Sequence, residues 1–578
     1  MKNFLTVLMC LGCVQFGWSQ QLEHSEQSRY WLDGFARTWF VSDAIRGEQS
    51  SSGAISSGWN LLDLNPHVNP TEEIEVFAQI RVLNEFGGFF GQGTQVDVRQ
   101  LRVSGVLKNK VKFNIGDIYL NQSEFTLHAD EGEIADAWGH AFDAQRRLVS
   151  YENFFEGNRW RLQGAQANFT LRGDRGLESV VFDGYLTRPL GSRQVSESNY
   201  TPDRILAGIT SAAFLQHGWS GELHHAVLAD LPNSGTVEHN VTNPVTHGKI
   251  HKQHEWRGGR VKWTTEGGWS NHAWRIRDLA NSELDSLVGS RMGSFAGFQG
   301  YFLSSDSSWR GRVGYREVDP FFRSSGAQSK RYDFSQHSSP SIWPNLGLQG
   351  TARQASLFDV YSDVALGNQS ISPTLMPIAP LFDNVLPYGI ATPNRRGAEL
   401  ALEKSWNTAR LKLDLAWFEE LTGQGTAELR SFEMAGFGFE WTPTYGMDRE
   451  FRLSVFEQLQ HTNRGGSDLE SVELMTSNLT VSAQAELWPR CWVECSGRHA
   501  IGKGHEFLNV RSELGELFNF ERVDLNTQAW MTSLGVKHGL SEEVVARLQW
   551  NFWGQHIEFD NQRRLLASQV FVVISATL

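Results

Sequence analysis

The chain has 578 residues, with 52 Lys+Arg against 65 Asp+Glu and a formal net charge of −13 at pH 7. That balance disfavours a nucleic-acid partner, whose phosphates are bound by clustered basic residues. The 21 Trp, 11 Tyr and 36 Phe exclude a disordered chain, which lacks apolar surface to bury. Charged residues reach only 20% and no Pro/Gly/Ser-rich linker divides the sequence, so its length reads as one large repetitive unit.

The first predicted element is a secretory signal. Residues 1–20, MKNFLTVLMCLGCVQFGWSQ, place a single charge, Lys2, before an apolar run from Phe4 to Val14, the n-region and h-region of an exported chain. Gln15 and Gln20 interrupt the run before the roughly 20 apolar residues that an anchoring helix needs. Residues 21–578 are then expected to form a single domain. Mean hydropathy is −0.36, and no later segment is apolar for the length of a membrane helix.

Further along, the signal is strict alternation. Ile74, Val76, Ala78, Ile80 and Val82 are interleaved with Glu75, Gln79 and Arg81, with Phe77 the exception. Leu411, Leu413, Leu415 and Trp417 alternate with Lys412 and Asp414. Phe451, Leu453 and Val455 frame Arg452 and Ser454, and Leu479 to Leu487 alternates with Thr480, Ser482, Gln484 and Glu486. Val544, Ala546, Leu548, Trp550 and Phe552 alternate with Arg547, Gln549 and Asn551. A period of two marks strands with unlike faces. About twenty such windows lie between Trp31 and Leu578, each longer than the modal soluble strand of about 5–6 residues. No blade-length repeat of a propeller recurs.

Some windows are joined by a few residues, as at Leu107–Val111, Glu403–Arg410 and Trp441–Glu450, and others by long polar stretches. Short turns on one side and long loops on the other are the pattern of a transmembrane β-barrel. Trp160, Trp256, Trp263, Trp309, Trp417, Trp441 and Trp550 fall near the ends of apolar faces, where indole suits the headgroup layer. In hydrocarbon only a closed sheet leaves no backbone edge unpaired. The predicted fold is therefore all-β, a transmembrane antiparallel barrel. At about 30 residues per strand, the length gives about 18 strands, within an even-numbered range of about 14–22. Cys491 and Cys495, four residues apart on a strand, would lie about 13 Å from each other at ~3.3 Å per residue, too far for a disulfide.

The last window, Gln569-Val-Phe-Val-Val-Ile-Ser-Ala-Thr-Leu578, sets Val570, Val572, Ile574, Ala576 and Leu578 on one face. With the signal and the alternating windows, this resembles the outer-membrane β-barrel proteins of Gram-negative bacteria, whose assembly machinery recognises such a terminal strand. That family usually closes on an aromatic residue; here the last residue is Leu578. The resemblance implies insertion in the outer-membrane bilayer. It covers architecture along nearly the whole chain and carries no subfamily motif.

Candidate functional residues fall between the windows. In Asn121–Gly157, Ile134, Trp138, Ala141 and Phe142 share one helical face, which suits either a short helix inside the lumen or an amphipathic turn on the surface. His217–His254 contains seven histidines. His247, His251 and His254 would converge on a helix and imidazole suits Zn, Cu or Ni, but without defined carboxylate or Cys partners they read as solvated loop residues, and no metal or cofactor is expected. Val318–Gly350 contributes Arg316, Arg323, Lys330 and Arg331 around its start, the candidate lining of a lumen constriction that attracts anions. Gly367–Arg396 carries Pro373, Pro377, Pro380, Pro387 and Pro393 among apolar residues. Proline cannot sit in a central ladder, so this segment is expected to pack inside the barrel or against another envelope protein.

Gln216-His-Gly-Trp-Ser220 lacks the spacing of an outer-membrane phospholipase motif, and no nucleophile, metalloprotease or phosphate-loop motif is present, so no enzymatic activity is expected. The function expected is a channel or transport protein with a polar lumen narrowed by inward loops. The alternatives are a sealed scaffold or secretion-machinery component and, third, an outer-membrane enzyme.

Overall fold

The computed structural model describes residues 29–47, 53–86, 93–129, 140–143, 147, 151–152, 154, 156–196, 199–201, 203–231, 237–278, 287–328, 385–423, 426–446, 449–468, 470–511, 517–557 and 563–578. The signal segment 1–20 lies outside them, as do Lys330, Arg331 and most of the proline-rich stretch.

Strands β1 (Tyr30–Gly47), β2 (Gly53–Thr71), β3 (Ile74–Glu85), β4 (Thr94–Leu107), β5 (Val111–Leu120), β6 (Trp160–Arg172) and β7 (Leu177–Leu190) form the first third of the wall. They are followed by β8 (Arg204–Leu215), β9 (Trp219–Asp230), β10 (Val237–Trp256), β11 (Gly259–Asp278), β12 (Leu287–Ser304) and β13 (Trp309–Val318). The remainder comprises β14 (Arg395–Ser405), β15 (Ala409–Glu419), β16 (Ser431–Trp441), β17 (Arg449–Arg464), β18 (Val472–Trp488), β19 (Cys491–Arg511), β20 (Leu517–Gly539), β21 (Val544–Ile557) and β22 (Arg563–Thr577). Each strand pairs antiparallel with the next, and β22 closes on β1 from Phe35↔Thr577 to Gly47↔Leu565. The sheet contains 23 strands; two-residue Thr444–Tyr445 belongs to the β16–β17 turn, leaving 22 in the ring.

The ring therefore has 22 strands rather than about 18. The difference lies in the connections. Those leaving the even-numbered strands run only two to seven residues, and several on the opposite side, such as 48–52, 231–236 and 558–562, are nearly as short. A chain that spends so little on loops makes more strands than a uniform allowance of about 30 residues each predicts. The two long connections, 121–159 and 319–394, both lie on the opposite side.

The faces are inverted relative to a soluble protein. Leu223, Ile250, Val313, Leu415, Leu534, Leu548 and Ile574 are exposed, whereas Asp63, His247, Ser270, Thr480, Ser533, Asn551 and Gln569 are buried. Alternation makes this arrangement unavoidable once the sheet closes: on β21, Leu548 and Trp550 face outward and Gln549 and Asn551 inward. Trp219, Trp256, Trp309, Trp441 and Trp488 are exposed at strand ends on the short-turn side, forming a girdle at one membrane interface. Trp160 breaks the expected pattern, because it points inward and its indole donates to the carbonyl of Gly326 at 2.7 Å. Cys491 is buried, Cys495 is exposed, and both are free thiols. The closed ring, apolar outer belt and aromatic girdle are those of an outer-membrane β-barrel.

Candidate functional site: the lumen and its inward loops

Apart from His217, the histidines of the histidine-rich segment lie on wall strands, not in a loop. His224 on β9 and His247 and His251 on β10 are buried on the inner face, while His254 has the opposite parity. Strand geometry, with a period of two, replaces the helical spacing that would have brought the three together. Glu222 bridges His224 and His251, its oxygens 3.1 and 3.2 Å from their Nε2 atoms. Glu266 lies 3.2 Å from His247 Nε2 and 3.7 Å from Lys249 Nζ, and accepts from Gln299 at 3.1 Å. The Nδ1 atoms of His224, His247 and His251 meet the hydroxyls of Thr210, Ser123 and Thr264 at 2.8–3.0 Å. The imidazoles of His224 and His251 are thus hydrogen-bonded on both sides, whereas His247 is hydrogen-bonded through Nδ1 and has the Glu266 carboxylate beside Nε2 without hydrogen-bond geometry. Gln216–Gly218 forms the tight β8–β9 turn, with His217 at φ 63°.

The described residues of the 121–159 connection lie inside the lumen. Gln122 donates to the Ile209 carbonyl at 2.9 Å and accepts from the Tyr185 hydroxyl at 3.1 Å. Farther on, the amides of His140 and Ala141 donate to Ser482 and Ser496 Oγ at 3.1 Å, and Gln549 Nε2 donates to the Ala141 carbonyl at 2.7 Å. Those partners lie on β18, β19 and β21, far around the ring from β5 and β6. His140 sits in a short 3₁₀ turn, His140–Phe142, with the Asp143 and Glu440 carboxylates 3.7 and 3.3 Å away. Burial disfavours its imidazolium, but these carboxylates outweigh burial and hold its pKa above the usual value.

The loop then reaches a third stretch of wall. Arg81 on β3 holds Asp63 of β2 bidentately, both contacts 2.7 Å, the planar fork arrangement that guanidinium favours. Arg81 also binds the loop carboxylate of Glu152, which lies 3.4 Å from Arg37 and 3.7 Å from Arg99. Arg99 Nη2 donates to the Glu152 carbonyl at 2.9 Å. The Tyr151 hydroxyl donates to Asp63, and its ring lies 5.0–5.8 Å from the guanidinium carbons of Arg37, Arg81 and Arg99. Burial and the bond to Asp63 raise the Tyr151 pKa, keeping the phenol protonated.

The second long connection meets the first. Leu127 and Gly326 form a parallel bridge, with His128 N donating to Gly326 O at 2.8 Å. Ser324 Oγ donates to Thr126 O at 3.2 Å. Phe125 stacks on Phe295 of β12 at 3.8 Å and meets Phe322 edge-on at 5.9 Å. A Cβ on Gly326 would stand 2.6 Å from Thr126 O, so the close approach requires glycine.

Of the four cations singled out in the sequence, Arg316 lies on β13, buried, bound to Glu399 of β14, with the Ile390 carbonyl 3.4 Å from its Nη1. Arg323 is buried in the inward loop; its amide donates to Ser270 at 2.8 Å and its carbonyl accepts from Asn243 at 3.1 Å. Lys330 and Arg331 lie outside the described residues. The Arg37, Arg81, Arg99 and Glu152 cluster was not legible as a site. Alternation flags Arg81 as inward-facing, but nothing local says that a residue 71 positions later lands beside it.

No protein-family model matches the chain, and no curated protein does. Among solved structures, OccD3 (OpdP) of Pseudomonas aeruginosa is 9% identical with a TM-score of 0.33, covering 78% of this chain and 90% of its own. OpdQ of Pseudomonas aeruginosa has the same identity and score, covering 95% and 98%. The P pilus usher (PapC) translocation pore is 9% identical with a TM-score of 0.30, covering 95% and 100%. Likenesses this distant transfer no function.

Proposed function

We propose that this outer-membrane β-barrel is a channel whose polar lumen, narrowed by the described residues of the connections 121–159 and 319–394, passes small hydrophilic solutes. The observation that carries the reading is the way 121–159 is held. Gln122 is bonded to Ile209 on β8, whereas the amides of His140 and Ala141 are bonded to Ser482 on β18 and Ser496 on β19, up to half of the 22-strand ring away, so the connection crosses the lumen instead of capping it from outside. Buried, hydrogen-bonded polar side chains face that space, and no chemistry beyond passage is assigned to them. Arg316 on β13 and Arg323 on the second connection, with Lys330 and Arg331 following Arg323 in sequence, are proposed to line the narrow part.

A second reading, a sealed barrel that serves as a scaffold for envelope proteins, is favoured by the Phe125–Phe295–Phe322 cluster between loops and wall. Single-channel recording in planar bilayers decides between them. Discrete conductance steps are expected of the purified protein. A correctly folded sample, judged by its heat-dependent gel mobility, that passes no ions removes the channel reading and leaves the scaffold.

A further inference from the structure

The Arg37, Arg81 and Arg99 cluster is unusual in where its second carboxylate comes from. Asp63 belongs to the wall, as do the three arginines. Glu152 belongs to an inward connection. The three guanidinium groups are nearly sealed, with side-chain exposures of 4%, 6% and 8%. With Glu152 in place the cluster holds three cations and two anions; with it gone, three cations face Asp63 alone. Buried charge left without a partner is strongly unfavourable, so the vacated position favours another anion. Even in the occupied state Nη1 of Arg37 is buried without a hydrogen-bond acceptor, and Nη1 of Arg99 has only the Asp63 carboxylate at 3.5 Å without hydrogen-bond geometry, so the cage has donor capacity to spare. The group now seated there is a carboxylate, and its neighbours are planar forks and the face of Tyr151, a setting that suits planar oxyanions.

We propose that Arg37, Arg81 and Arg99 form a carboxylate-binding site on the lumen wall, occupied here by the protein's own Glu152, for which soluble carboxylates compete. Asp63 and the Tyr151 hydroxyl set the Arg81 fork from behind, and Gln79 Nε2 donates to that hydroxyl at 3.2 Å. A soluble ligand then displaces a side chain, not a strand, and leaves the sheet intact. The inference concerns the lumen named above and rests on that lumen being reached from water.

The test is titration calorimetry of the detergent-solubilised full-length protein with benzoate, which needs binding and not conduction. Wild type is expected to bind benzoate weakly and Glu152→Ala more tightly by about tenfold or more. Adding Arg37→Gln or Arg99→Gln to Glu152→Ala should abolish the gain. Glu152→Gln, which keeps the side-chain volume and removes its charge, serves if the alanine variant does not fold. Equal benzoate affinity in wild type and in a folded Glu152 variant overturns the proposal, as does a gain that survives loss of Arg37 or Arg99. Inorganic phosphate binding as tightly as benzoate at the vacated site overturns the assignment to carboxylates. Binding without conductance keeps this site and removes the channel; conductance without binding does the reverse.

Discussion

Buried ion pairs of the inner wall fall into two kinds, and single substitutions should separate them. Arg204 on β8 holds Asp230 on β9 at 2.6 and 3.1 Å, with exposures of 3% and 0%, and Asp230 also accepts from Val241 N at 3.0 Å. Asp230→Ala strips a buried guanidinium of this partner and should cost about 3–5 kcal/mol, whereas replacing both residues by apolar ones of similar size should cost less. Urea unfolding of the lipid-embedded protein measures both. His140 is the other kind, a pair that titrates. Its pKa is raised above 6.5 by Asp143 and Glu440, so the protonated form favours the docked loop. That contribution is complete below about pH 6.5 and is lost as pH climbs through the raised value. Protease accessibility of the 121–159 connection should therefore increase on the alkaline side in wild type and vary less with pH in His140→Gln.

At the level of elements, the strands obey local rules and the connections do not. Two-residue turns such as Pro489–Arg490, with Arg490 at φ 67°, bring neighbours into antiparallel register, and the alternation of each strand then decides which side chains point inward. The inward connections are held by distant partners instead. They meet closely at the Leu127–Gly326 bridge. Gly326→Ala places a methyl 2.6 Å from Thr126 O and 2.9 Å from Leu127 Cδ1, and overpacking of this order costs about 1–3 kcal/mol. The substitution should push the two connections apart while leaving the ring intact, read as faster proteolysis of 121–159 with unchanged heat-dependent gel mobility.

For the whole molecule, the decisive property is a sheet closed upon itself with its apolar face outward. Leu415 lies in the middle of β15 and is exposed, a position that only lipid makes favourable. Leu415→Arg should destabilise the embedded barrel by about 2–4 kcal/mol if the residue sits near the bilayer midplane, the depth at which cations cost most. Urea unfolding in vesicles checks this, with the inward neighbour Ala416→Ser as a control expected to change little. The inversion is not complete, and part of the interior is dry. Trp39, Trp59, Leu83, Trp553 and Phe571 form an inward apolar cluster at the seam where β22 meets β1.

Alternation along the chain was sufficient to determine a two-faced sheet, its antiparallel hairpins, the short-turn side and the inward direction of residues such as Arg81, Gln549 and Asn551, because a period of two is a local property of backbone geometry. It could not distinguish 18 strands from 22, since loop lengths vary freely while strand faces do not. Nor could it tell that Trp160 points inward or that the histidines of β9 and β10 belong to the wall. Where the inward connections land was decided only by the closed ring. Glu152 meets Arg81, and Ala141 meets Gln549, through space alone, and the free energy of those contacts depends on residues that no local pattern relates.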